Sequence, residues 1–409
     1  MAGRNVPAIL PGKSPAWPRG ALPIFYLATI GLLPWTWFPP FPWLHEHAQW
    51  SDALMALTTS AWALDRWHRH AAWRPASAHW AMGAYLAAAA LSLLLAAPNR
   101  LTGSLKLLGM VELLMLAIVT ADMAGRPGLL PALARVVAAN AVLIAGVAVA
   151  GMVLFALGVP TRLVGPYGSE LIPGPYARIQ AGFYHPNLLA SYCIFAAAVL
   201  ARTDGALPAG LRRLTLVALS VTVILTVSRG ILGFGLFLLL QAGRTRQSRR
   251  IVGLYAAAAI IAVASLTLFK VEVDPTRPWA ARLSPGPSPR WETITSSFSS
   301  FRTHPVWGTG LETHTGRMKG QPADAHLTPL NIAATLGLPA LLAFISIPAA
   351  LWWRRRRPMD LATWGGLAAL GLDSLGQDIE DFRHLWVLFG LAEERGERTT
   401  AATGRESRG

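Results

Sequence analysis

PALARVVAANAVLIAGVAVAGMVLFALG, residues 131–158, carries one charge, Arg135, and one side-chain amide, Asn140. As a helix this stretch is about 42 Å long, more than the roughly 30 Å of a bilayer's hydrocarbon core. Similar apolar runs recur on both sides of it, at 21–38, 51–65, 78–97, 104–121, 186–201, 211–227, 229–242, 251–269, 326–352, 361–376 and 382–393. The composition agrees: 53% of the 409 residues are hydrophobic and 14% charged, where soluble domains carry about 25% charged residues. The expectation is an all-α, polytopic transmembrane helix bundle of about twelve spans, forming a single integral-membrane domain over 1–392. A short cytoplasmic, disordered tail is expected over 393–409. Arg4, Lys13 and Arg19 precede the first apolar run, and Phe38-Pro39-Pro40-Phe41-Pro42 follows it. With no small-residue cleavage site there, it reads as an uncleaved first span.

The chain has 36 basic and 21 acidic residues, a formal charge of +15, and such an excess can signal a nucleic-acid partner. Its distribution says otherwise. With both termini in the cytoplasm and the spans alternating, about 23 of the 36 basic residues fall on the inside, as the positive-inside rule requires. They include Arg66 and Arg69, Arg244 to Arg250, and Arg354 to Arg357. The charge is a topology signal, and no nucleic-acid partner is expected. The single cysteine, Cys193, lies in an apolar run and excludes both an intramolecular disulfide and a cysteine metal cluster.

Two outside, periplasmic segments, about 159–185 and 270–325, are too long to be plain connectors and are expected to contain short helices; long loops in compact proteins usually have a function. The second carries Trp291, Ile294, Phe298 and Phe301 at helical spacing. This stripe predicts a short amphipathic helix against the membrane surface or the bundle. Ionisable residues at outer span ends are the candidates for chemistry, because they are costly there unless used or paired. Arg178 precedes Gly182-Phe183-Tyr184-His185-Pro186-Asn187, Ser228-Arg229-Gly230 forms a tight turn, and Arg290 lies in the long loop. His326 follows Asp324, and Asp378, Glu380, Asp381 and Arg383 make the last outer turn. For Arg229 the plain alternative is a snorkelling anchor. The sharper reading is a planar fork that binds phosphate bidentately. No metal-ligand spacing appears on this face, so neither a metal nor another cofactor is expected.

The order of the pieces is more specific than any one of them. Arg178-x-x-x-Gly182-Phe183-x-His185-Pro186-Asn187 is followed by Ser228-Arg229-Gly230 and Arg290-Trp291. Then come His304-Pro305-x-x-Gly308-x-Gly310, Ala325-His326 and Gly337-Leu338. Over roughly residues 100–392 this series resembles the O-antigen ligase and polymerase superfamily, bacterial membrane glycosyltransferases that use undecaprenyl-diphosphate-linked glycans. The family usually has Asn directly after its loop histidine; this chain has Leu327 there, with Asn331 further on.

The resemblance implies His326 as base with Arg178 and Arg229 as catalytic arginines, and substrate binding by Arg290, Gly182, His185 and Asn187. It implies an undecaprenyl-diphosphate glycan donor, a lipid A-core or glycan acceptor, and a site on the periplasmic face of the bacterial inner membrane. A diphosphate leaving group needs cations more than a general acid. The acceptor hydroxyl is helped by a base that titrates near neutrality, as imidazole does. The reading is a ligase that transfers glycan to lipid A-core with inversion. The alternatives are a polymerase extending lipid-linked repeat units, a transferase that glycosylates proteins, and a transporter or flippase. Against transport, the charges gather at outer span ends and loops, whereas transport sites lie in broken helices at mid-membrane.

Overall fold

The computed structural model describes residues 18, 20–36, 48–70, 73, 75–168, 175–242, 253, 255, 289–318, 321–353 and 360–393. The expected ninth span, 251–269, and the tail after Glu393 lie almost wholly outside the described residues. Five helices open the chain: α1 (Ala21–Leu32), α2 (Trp50–His68), α3 (Ser77–Leu95), α4 (Arg100–Ala124) and α5 (Leu129–Ala156). An antiparallel hairpin follows, β1 (Val164–Gly168) with β2 (Pro175–Ile179). Next are α6 (Pro186–Arg202), α7 (Ala209–Thr226), α8 (Gly230–Ala242) and α9 (Pro289–Thr303). A small hairpin, β3 (Gly316–Met318) with β4 (Gln321–Ala323), precedes α10 (Thr328–Leu336) and α11 (Leu338–Trp353). The last two helices are α12 (Leu361–Asp373) and α13 (Arg383–Glu393).

The bundle is organised around α6, in which every residue from Leu188 to Leu200 is buried. A helix apolar all round belongs inside, and α6 packs against α12, α7, α8 and α5. In lipid the hydrophobic effect does little to drive helices together, so close backbone approach at small residues does the work. A Cβ on Gly366 would lie 2.6 Å from the Ala198 side chain, and one on Gly390 2.4 Å from the Ala117 carbonyl. The outer faces are left apolar: Leu143, Val149 and Val153 of α5 and Leu214, Val217 and Val221 of α7 are exposed. Apolar patches on this scale need lipid as solvent. This is a membrane protein.

Four helices, α3, α4, α5 and α7, are long and apolar enough to cross a bilayer; α1, α6, α8 and α11 are apolar but shorter. That falls short of twelve full-length spans among the described residues. Charged pairs mark the bundle's two ends. Near the start of α4 Lys106 pairs with Asp381, and beside it Arg383 pairs with Asp52 at 2.5 Å. Toward the other end of α4 Asp122 pairs with Arg66 and Asp65 with Arg126, both at 2.6 Å. Lys106 and Asp122 are about 24 Å apart along the helix axis.

Two local expectations are corrected, and a third, left open between membrane surface and bundle, is narrowed. The first long loop holds the β1–β2 hairpin and no helix among its described residues. The expected span 326–352 is two helices, α10 and α11, broken at Gly337. The second loop does contain its helix, α9, but turned the other way from a helix that packs its apolar stripe on the bundle. Thr293 and Ser297 are fully buried, while Trp291 and Phe298 are 60% and 52% exposed. The inward face is held by hydroxyl bonds: Thr315 donates to Ser297 at 2.9 Å and Ser300 to the Thr315 carbonyl at 3.2 Å. The apolar edge is left for lipid.

The break at Gly337 explains the glycines of the 304–338 series. The segment 305–310 zips onto the end of α10: Leu338 N donates to Pro305 O, Thr309 N to Ala334 O and Gly310 N to Thr335 O, at 2.9–3.0 Å. Gly337 has φ +86°, and a Cβ there would stand 1.9 Å from the Val306 carbonyl oxygen. Both the positive φ and the contact require glycine. Gly337→Ala is therefore expected to cost at least about 1–3 kcal/mol from backbone strain alone. A lower melting temperature of the detergent-solubilised variant would register it; an unchanged one would refute this account of the joint.

Candidate active site

Four connections meet at the Lys106 end of the bundle: the loop from β2 to α6, the α7–α8 turn, the β4–α10 link and the α12–α13 link. Arg178 closes β2 and is 6% exposed. Its Nε donates to the Thr226 carbonyl at the end of α7, and Nη2 to Asn187 Oδ1 at the start of α6, both at 2.7 Å. His185 caps α6, its Nδ1 accepting from the Asn187 backbone N–H at 3.2 Å. The carbonyl of Gly182 receives the Thr36 N–H at 2.9 Å, and a Cβ on Gly182 would lie 2.5 Å from the Pro34 carbonyl oxygen. Gly182 thus seats the chain after α1. Arg178, His185 and Asn187 meet at the start of α6, with a burial that makes Arg178 a brace as well as a charge.

Helix α7 ends on Val227 in the left-handed region, φ 46°, which turns the chain sharply into Ser228 and Arg229. Thr226 Oγ1 and Ser228 Oγ are 2.8 Å apart and buried. Arg229 is half-buried and lies along Gly376, where a Cβ would come within 2.9 Å of its Cδ. His326 attaches to the same turn two residues further along its own chain. Thr328 N donates to the Ser374 carbonyl at 2.9 Å, its Oγ1 donates to the Gln377 carbonyl at 2.8 Å, and Ile379 N donates back to that Oγ1 at 3.0 Å. The 374–377 turn therefore joins Arg229 to His326. His326 itself has φ 48°, uncommon for a residue with a side chain and a feature that gathers at functional sites. Ala181, Val227 and Glu312 share that region at this end of the bundle. Arg290 begins α9, but its side chain lies outside the described residues.

The same end of the bundle holds a cavity of about 110 Å³, lined mainly by polar side chains that include Lys106, Asp324, Asn331, Asp378 and Glu380; His326 is not among them. Asn331 does not take the place of the family's missing amide beside the histidine. Its Nδ2 donates to Asp378 and, at 3.2 Å, to Glu380. Burial pushes both carboxyls up, Asp378 to about 6 and Glu380 further, where repulsion from Asp378 and Asp381 adds to it; Lys106 pulls in the other direction. Folded, the pair holds protons that the unfolded chain has lost. Its contribution to stability is thus present at low pH and falls as pH rises through the raised values. Glu380→Gln is expected to flatten the decline in melting temperature as pH rises above the ordinary carboxylate range; a pH profile parallel to wild type would count against the buried carboxyl pair.

Sequence reasoning missed Lys106 and Asn331 as site residues. Lys106 had a signal: an ammonium within an apolar span is a functional candidate by default. Asn331 had none, because only the fold brings α10 against the 378–380 turn.

Residues 214–345 match a family model described as O-antigen ligase. This match supports membership of the O-antigen ligase superfamily. The match runs from α7 into α11, about a third of the chain, and takes in Arg229, Arg290, the 304–310 run, His326 and Asn331. Arg178, Asn187 and the acidic turn lie outside it and join the family segment through the contacts above. Members of this family are membrane enzymes of the glycosyltransferase kind that handle lipid-linked glycans. No curated protein and no solved structure matches the chain.

Proposed function

We propose that the protein is an O-antigen ligase-like glycosyltransferase that moves a glycan from undecaprenyl diphosphate to a hydroxyl of lipid A-core. The reading is carried by one observation: the 374–377 turn ties a half-buried arginine, Arg229, to a backbone-strained histidine, His326, at one end of a membrane bundle. Arg66, Arg126 and Arg202 lie toward the other end, which supports a site on the periplasmic face of the inner membrane with both termini in the cytoplasm.

In the reaction the acceptor oxygen attacks the anomeric carbon as the bond from that carbon to the diphosphate oxygen breaks. The acceptor's proton passes to the imidazole of His326, and the electron pair leaves with undecaprenyl diphosphate. Attack opposite the leaving group inverts the anomeric centre. Arg229 meets the developing charge on the diphosphate, where fixed cations act most strongly. Arg178 adds positive potential from beneath and holds the start of α6 and the end of α7 in register through Asn187 and Thr226. Arg290, at the head of α9, is assigned to the clamp by the family resemblance, and the apolar edge of that helix is taken as the place where the lipid tail enters.

The deciding experiment gives the purified protein in nanodiscs an undecaprenyl-diphosphate oligosaccharide, with and without lipid A-core. Glycan on lipid A-core is the expected product. Longer polyprenyl-linked chains with no second acceptor would replace the ligase by a polymerase.

A further inference from the structure

Resting on the transferase reading, we infer that Asp373 is a positioning residue for that reaction, setting the 374–377 turn through Ser191 and Gln377 and with it the seats of Arg229 and His326. Asp373 is the last residue of α12 and the one charged residue of that helix. Its Oδ2 accepts from the Ser191 hydroxyl on α6 and from the Gln377 side-chain amide. The same amide donates to Ser191 Oγ at 2.6 Å, which closes a ring of three side chains. Asp373, Ser191 and Gln377 are all buried.

The ring lies where the supports of the site meet. Gln377 follows Gly376, along which the stem of Arg229 lies. The backbone carbonyl of Gln377 receives the Thr328 hydroxyl two residues beyond His326. Ser191 stands one turn along α6 from Asn187, which holds Arg178. A shift of the turn therefore moves the support of Arg229 and the anchor of His326 together. Plain packing of α6 on α12 is the alternative, and small residues already provide it. A Cβ on Gly366 of α12 would lie 2.6 Å from the Ala198 side chain of α6. A buried acid is costly unless used or paired, and that packing has no need of one. What the acid adds is direction. An ionised carboxyl group only accepts, so both donors aim at one oxygen and the Gln377 side chain is held in one orientation. Displacing a reacting group by about 1 Å can cost about 10²-fold in rate, which is the loss such a ring prevents.

Two near-isosteric variants test this, Asp373→Asn and Gln377→Leu; the second keeps the backbone carbonyl that holds Thr328. Ser191→Ala replaces either one that fails to fold. Transfer from undecaprenyl-diphosphate oligosaccharide to lipid A-core is measured in nanodiscs, in the wild-type and His326→Ala backgrounds. In wild type each substitution is expected to lower kcat about tenfold or more, with donor and acceptor KM values within about twofold. In His326→Ala the same substitutions should cost less than about threefold, because residues that act as a unit are not additive. Equal losses in both backgrounds, or a raised KM with kcat intact, would overturn the positioning role and leave the ring as packing. Spectra of ¹⁵N-labelled histidine give a readout that does not need the reaction. The His326 signal, identified by its loss in His326→Ala, is expected to move in both variants, while that of His68 at the far end of α2 stays. An unmoved His326 signal would also overturn the inference. If wild type transfers glycan to no acceptor, the transferase reading falls, and a moved His326 signal still upholds Asp373 as the residue that seats the histidine.

Discussion

His326→Ala is expected to lower glycan transfer by about 10²- to 10⁴-fold, the usual contribution of a positioned general base. The expectation rests on how the residue is held. Ala325 before it is fully buried and Thr328 after it is locked to the 374–377 turn, so the backbone fixes where the imidazole stands. The conformation has a cost: left-handed geometry disfavours any residue with a Cβ. Alanine shares that cost, so the alanine variant should fold as well as wild type. Glycine does not share it. His326→Gly is expected to raise stability by about 0.4–1 kcal/mol or less while losing activity, which is what a position selected for chemistry over stability predicts. The pH profile adds an independent check. Wild-type kcat/KM should rise with pH as a base loses its proton and then level off, and the variants should lack that limb. Full activity in His326→Ala would end the base assignment, and a destabilised His326→Gly would show that the strain has a structural origin.

The membrane character and the order of helices were legible from composition and run length, because a bilayer demands long apolar stretches whatever the tertiary packing. Individual boundaries in the first eight helices lie close to the apolar runs. What failed were places where local pattern and burial part company. Residues 326–352 are uniformly apolar, and nothing in hydropathy separates α10 from α11; the break at Gly337 comes from the backbone contact with Val306. The stripe on α9 has a helical period, but period alone does not say which side faces protein. Hydroxyls at Ser297 and Ser300 compete for the inside by bonding Thr315, just before β3.

The site divides in the same manner. Arg178, His185 and Asn187 were readable as a group because they lie within ten positions of one another. Arg229 and His326 stood out as ionisable residues at outer span ends and took their roles from the family resemblance; the structure supplies the physical link, a turn some fifty residues after the histidine. The acidic cavity was half visible. Asp324, Asp378, Glu380 and Asp381 stood out as outer charges, but their grouping with Lys106 and Asn331 needs the packing of α4 and α10 against the α12–α13 link. Long-range polar clusters leave no local periodicity to read.

Arg229→Ala is expected to reduce transfer by about 10²- to 10³-fold, the range for removing one preorganised donor at a developing charge. A mere membrane anchor would behave differently. Snorkelling depends on a long stem with a charged head, so Arg229→Lys would preserve an anchor almost completely. A bidentate fork is not replaced by a point charge, and the lysine variant should therefore recover only part of the activity. The aliphatic stem of Arg229 lies along Gly376, which fixes the direction of the guanidinium and makes the geometry, not only the charge, part of its contribution. Arg178 offers the internal comparison. It is buried and bonded to Thr226 and Asn187, so Arg178→Lys should lower the melting temperature as well as the activity, while Arg229→Lys should lower activity alone. Titration of undecaprenyl diphosphate onto each nanodisc-embedded variant separates the two roles: affinity should fall most for Arg229→Ala and should weaken with added salt in wild type. If Arg229→Lys keeps both full transfer and full diphosphate affinity, the fork is refuted and Arg229 is an anchor.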